Sequence, residues 1–104
     1  MIVSTFPTQD EAVKVSKVLL QERLIACANI VPAIQSLYWW QDSIQEEQEV
    51  LLLVKTKKEL EQEVIDRIQT LHSYDVPAIY AIESTTTISD PYLDWIVNVT
   101  KQIK

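Results

Sequence analysis

The sequence predicts an α+β fold: an antiparallel sheet carrying its two main helices on one face, with an additional C-terminal helix. Three observations carry that expectation. Strand-like and helix-like segments follow one another in the order β-α-β-β-α-β before the last helix. Thr-x-x-Glu sequences at Thr8 to Glu11 and Thr56 to Glu59 have the spacing of a capping box, in which side chains satisfy the free N–H groups of a helix start. The run Val50-Leu51-Leu52-Leu53-Val54 is apolar at every position, as suits a central strand covered on both sides.

Ile2 to Phe6 reads as a short strand closed by Pro7. Residues 9–22 read as an amphipathic helix, with Ala12, Val15, Ser16 and Leu19 on one face and Lys14, Lys17 and Gln21 on the other. From Ile25 to Trp40 the chain is β-rich, and Gln41-Asp42-Ser43 interrupts it before Ile44 resumes, so residues 34–48 form an extended hairpin. The chain has no glycine, and Asp42 is a residue type that tolerates the left-handed conformation such a turn needs. After the return strand stops at Lys55-Thr56, Leu60, Val64, Ile68 and Leu71 make the apolar stripe of a second helix ending near His72. Residues 72–77 are a connector, because Val76 before Pro77 is pushed out of the helical region. A fourth strand is expected from Ala78 to about Thr86, and Ser89-Asp90-Pro91 opens the terminal helix through Leu93, Trp95, Ile96 and Val99. Right-handed crossovers turn this order into the split-βαβ, ferredoxin-like arrangement, with both main helices on one face of the sheet.

At 104 residues and 47% hydrophobic content, one domain over residues 1–104 is expected. The formal net charge of −6 disfavours nucleic acid and anionic membrane as partners and favours cations. No apolar stretch approaches the roughly 20 residues that cross a bilayer. One cysteine excludes an internal disulfide, and Met1 leads directly into Ile2-Val3 without a charged n-region, so the cytoplasm is the expected compartment.

The helix-free face poses a problem. A strand apolar on both sides, and a hairpin too long for one four-stranded sheet, both call for cover that the terminal helix supplies only in part. Assembly with further copies of the chain is the expected solution.

Several short sequences then become informative together: Leu24-Ile25-Ala26-Cys27-Ala28-Asn29, Ser36-Leu37-Tyr38-Trp39-Trp40, Glu49-Val50, Lys55-Thr56, His72-Ser73-Tyr74 with Pro77, and Tyr92-Leu93-Asp94-Trp95. In that order and spacing they resemble the CutA divalent-cation tolerance family over nearly the whole chain. The resemblance implies a homotrimer of PII-like architecture, linked to copper and other divalent cations, with no catalysis and no required cofactor. Members with a proposed metal site use a cysteine near the end of the first strand and more than one histidine; this chain has Thr5-Phe6 there and Leu71 before His72, so only His72 carries over as a metal ligand.

Each candidate residue has two readings. Cys27 opens an apolar strand, where a free cysteine packs as a small hydrophobe or, less simply, serves as a thiolate. His72, at a helix C-terminus, caps the last carbonyls or contacts a ligand. Tyr38, Trp39 and Trp40 pack at a core or interface, or line a cleft. Glu46, Glu47 and Glu49 are a solvated edge or oxygen donors for cations. Lys55 pairs with a glutamate or receives an anion at a helix start. If Lys55 lies near the connector of its own or a neighbouring chain, then Trp40, Glu49, Lys55, His72 and Tyr74 form an intersubunit cleft of mixed charge. A metal-responsive trimer is therefore expected, with a trimeric scaffold or a signalling protein that binds a small molecule in that cleft as the alternatives. An acylphosphatase-type enzyme would need an arginine cradle that Phe6-Pro7-Thr8-Gln9 lacks, and an RNA-recognition module would need a basic, aromatic sheet.

Overall fold

The computed structural model describes residues 1–83 and 88–102. Its elements are β1 (Ile2–Phe6), α1 (Gln9–Gln21), β2 (Cys27–Trp40), β3 (Ser43–Lys55), a 3-10 turn (Lys58–Leu60), α2 (Glu61–Leu71), β4 (Ile79–Ala81) and α3 (Asp90–Val99). The four strands lie in the order β2-β3-β1-β4, every neighbouring pair antiparallel. This is the ferredoxin-like arrangement with a C-terminal helix added.

Alternation along the strands divides the sheet into two faces. Ile2 opposes Val54, Ser4 opposes Leu52 and Phe6 opposes Val50. Of these, Ile2, Phe6, Val50, Leu52 and Val54 pack with Ala12, Val15 and Leu19 of α1 and Val64 and Ile68 of α2 in one buried cluster. Ser4 is also buried, and its hydroxyl has no hydrogen-bond partner among the described residues. On the other face Val3 is buried, but Tyr80 is 52% exposed and Val31 38%. The C-terminal helix reaches this face through Tyr92, whose hydroxyl lies 3.9 Å from Cys27 Sγ. At its far end Thr100 donates to the Ile96 carbonyl of the helix's own last turn, and Lys101 ties the chain back, its N–H donating to the Arg23 carbonyl and its ammonium meeting Glu63.

The long hairpin has a definite limit of support. Pairing of β1 with β3 ends at Phe6 and Val50, and a bulge separates Val31 from Ile34 in β2. Beyond it, among the described residues, 34–40 and 43–49 pair only with each other, as a two-stranded ribbon. Gln41 (φ 49°) and Asp42 (φ 64°) make the turn, both left-handed, as a two-residue hairpin of type I′ requires. Arg23 (φ 61°) is the other left-handed residue among those described: its N–H reaches the Leu20 carbonyl while that of Leu24 reaches Leu19, which closes α1 in a Schellman motif with arginine where glycine is usual.

Two expectations need correction. The second capping box does not form, because the Thr56 hydroxyl donates to the Leu24 carbonyl at 2.6 Å; a 3-10 turn without a side-chain cap starts the helix instead. The described part of the fourth strand is Ile79–Ala81, with Ile82 N–H still bonded to the Met1 carbonyl at 2.7 Å. The expected extension to Thr86 falls partly on residues 84–87, outside the described residues. At α1 the first half of the capping box is present, Thr8 Oγ1 accepting from the Glu11 N–H, but the Glu11 carboxylate has another use.

Candidate functional site

That use begins the site. Glu11 Oε2 accepts both the N–H (3.1 Å) and the hydroxyl (3.0 Å) of Ser73, anchoring the connector after α2 to the first turn of α1. Anchoring drives His72 inward until its side chain is fully buried. The imidazole stacks on Phe6 with centroids 4.2 Å apart and planes at 13°, and Tyr74 tilts against it at 4.8 Å. The Tyr74 N–H donates to Nδ1 at 3.1 Å, which assigns the ring proton to Nε2, 2.7 Å from the Thr5 carbonyl. In that tautomer the 3.6 Å approach of Nδ1 to Glu11 is a proximity and not an ion pair. Both nitrogens thus bond the chain's own backbone. A metal at either one would displace a bond of a buried group.

Tyr74 extends from this anchor to β3, its hydroxyl donating to Glu49 Oε2 at 3.0 Å. Burial pushes the Tyr74 phenol well above the usual tyrosine value, reinforced by that hydrogen bond and by the charges of Glu49 and Glu47. Tyr38 is raised in the same direction by desolvation and by Glu47. Glu49 is only 7% exposed, and among the described residues it has no cationic partner. These groups line a cavity of about 830 Å³ between the ribbon and the connector, together with Thr5, Trp40 and Asp75.

The structure therefore brings together Trp40, Glu49 and Tyr74, with His72 behind Tyr74 as their support. Lys55 is separated from them within one chain. It lies six residues along β3 from Glu49, roughly 20 Å of extended chain, opposite Cys27, with its ammonium on Asn29 Oδ1. It lines a different cavity, of about 750 Å³, with Met1, Lys57, Glu61, Tyr92 and Ile96. Cys27 is partly exposed and free, and burial and Cys27 itself raise the neighbouring Tyr92 phenol. His72 is not a carbonyl cap for α2 through its ring; its backbone N–H closes the helix on Ile68 instead. Among the described residues no group of three or more His, Cys, Asp or Glu side chains is placed to hold a metal ion, and no helix is long and apolar enough to cross a membrane.

Sequence reasoning missed Glu11, Phe6 and Asp75. Glu11 carried a signal, but it pointed to a local cap; the contact with Ser73 crosses 62 residues and shows only in the fold.

Fold and site together define a class: a ferredoxin-like α+β protein with an extended hairpin and an acidic, aromatic cleft at the junction of hairpin and connector. The family model described as "CutA1 divalent ion tolerance protein" matches residues 1–99. The chain is 43% identical over 102 residues to the "Divalent-cation tolerance protein CutA" of Pyrococcus horikoshii, covering 98% of each chain. It is 37% identical to "Protein CutA, chloroplastic" of Arabidopsis thaliana over 97% of this chain and 55% of that one. A solved structure described as the "Periplasmic divalent cation tolerance protein CutA" of Archaeoglobus fulgidus superposes with a TM-score of 0.91 at 37% identity, over 96% of each chain. The chain belongs to the CutA1 divalent ion tolerance family.

Proposed function

We propose that the chain acts as a homotrimer of PII-like architecture that binds divalent cations, copper among them, and binds ligand in a cleft at the junction of chains without catalysing a reaction. One observation carries the assembly. The ribbon beyond Glu49 exposes Leu37 (65%), Trp39 (71%) and Ile44 (64%), and a two-stranded ribbon is at best marginally stable in water unless something packs on it. A second copy supplies that cover.

Divalent cations are supported by family membership and by the charge of −6. One His and one Cys per chain require a soft-donor site to draw on several copies, and His72 joins it by giving up the Thr5 carbonyl. The small-molecule reading of the cleft is supported by the cavity beside Tyr74. Neither nucleic acid nor membrane is a partner in this proposal. The free thiol of Cys27 suits the cytoplasm, although relatives are described as chloroplastic and periplasmic; cell fractionation checks the location.

The test is copper titration by calorimetry on wild type and His72→Ala, with the mass of each measured by light scattering. Trimers whose copper affinity falls in the variant are expected. Equal copper binding removes His72 as a ligand, and absence of copper binding by the wild type removes the metal.

A further inference from the structure

His72 is the one histidine of the chain, and in the fold neither of its nitrogens is free. Nε2 donates to the Thr5 carbonyl at 2.7 Å, Nδ1 accepts the Tyr74 N–H at 3.1 Å, and the side chain is fully buried. Further copies of the chain can add to that burial and remove none of it. A cation therefore reaches the imidazole only when the ring leaves its seat on Phe6. On one side His72 is held by α2, whose last turn it closes by donating its N–H to the Ile68 carbonyl at 2.8 Å. On the other side the first hold is Ser73, whose N–H and hydroxyl both bond Glu11 Oε2, at 3.1 and 3.0 Å. That N–H belongs to the peptide unit following His72, so its bond fixes the ψ of His72 at 143° and with it the path of the connector. Glu11 is itself anchored, its N–H donating to Thr8 Oγ1 at 3.2 Å in the first turn of α1. A glutamate here could have reached back to the Thr8 N–H in a capping box; it reaches across 62 residues instead. Its carboxylate is 21% exposed, and a hydrogen bond to a charged acceptor is roughly twice as strong as a neutral one.

We propose that Glu11 is a latch on the metal site: while it holds Ser73, His72 stays seated and out of reach, and release of Ser73 exposes the imidazole to a divalent cation. Glu11 is then a positioning residue that acts through the connector. In that role the latch rests on the reading of His72 as a metal ligand, but its hold on the ring is measured without metal. A cation that binds only the unlatched state is bound more weakly in proportion to the fraction of chains unlatched. A substitution that multiplies this small fraction therefore multiplies the apparent affinity by the same factor.

The latch is read from the rate at which diethyl pyrocarbonate modifies His72 in the full, assembled protein, followed by mass spectrometry. Glu11→Ala, which removes both bonds, should speed modification about tenfold, and Ser73→Ala, which keeps the N–H bond, should speed it less. Val54→Ala weakens the core where β3 meets Ile2, at the other end of β1 from Phe6, and should leave the rate near that of wild type. Copper affinity, by calorimetry, should rise in Glu11→Ala by the same factor as the rate, and the gain should vanish when His72→Ala is added. An unchanged rate in both Glu11→Ala and Ser73→Ala, or an equal rise in Val54→Ala, overturns the latch whether or not the wild type binds copper through His72. Faster modification without tighter copper binding overturns the link between latch and metal. If His72→Ala also leaves wild-type copper binding unchanged, His72 is not a ligand at all.

Discussion

His72→Ala should be among the most damaging single substitutions in this chain. The ring is fully buried and stacked on Phe6, so its removal leaves a cavity costing about 2–3 kcal/mol. It also strands the Thr5 carbonyl and the Tyr74 N–H, each at about 1 kcal/mol or more. A total of about 4–5 kcal/mol follows, a large part of the stability of a small protein. His72→Phe keeps a ring against Phe6 but cannot form either bond, and should fall between wild type and alanine. The assay is urea unfolding followed by circular dichroism, at one protein concentration, with and without a chelator. The bonds at issue lie within the chain, so the difference between wild type and variant should be the same in both conditions. An alanine variant within about 0.5 kcal/mol of wild type would refute the reasoning. So would a chelator that lowers the wild type to the level of the variant, because the stability would then come from bound metal.

Above pH 10, the ordinary tyrosine value, the unfolded chain loses phenol protons that Tyr74 and Tyr38 retain in the fold. Their contribution is therefore intact below that pH and declines as pH rises through it, so the urea midpoint should drop in alkali, and drop less in Tyr74→Phe. Asp42→Gly should raise stability slightly and Asp42→Val lower it by about 1 kcal/mol or more, because a β-branched residue is strained at φ 64°; equal midpoints would contradict the turn geometry. Ser4→Ala should leave stability unchanged or raise it by about 1 kcal/mol, since the hydroxyl it removes is buried and unpaired. A loss of similar size would show that the hydroxyl has a partner in the fold.

Where a feature depends on local pattern, it was legible in the sequence. The apolar stripe of α1, the continuous apolar centre of β3 and the left-handed turn at Asp42 are set by neighbours in the chain, and each appears as read. Thr56 shows the limit of such reading. Its spacing to Glu59 is that of a cap, yet the unsatisfied Leu24 carbonyl 32 residues away takes its hydroxyl. The same competition hid the site. Glu11 looked like half of a capping box until the connector supplied Ser73, and His72 looked like a cap or a ligand at a helix end until Phe6 and Thr5 gave it a place to bury. Lys55 and Glu49 stand six residues apart and both alternate onto the helix-free face, but an extended strand carries them to opposite ends of the sheet.

The proposed assembly rests most on the ribbon, whose described residues pair with each other alone, and on the open sheet face. Light scattering on the purified protein across a range of concentrations measures that directly. The predicted result is a single species with three times the 12.0 kDa mass of the chain, persisting on dilution. A stable species of 12.0 kDa with a folded hairpin would contradict it.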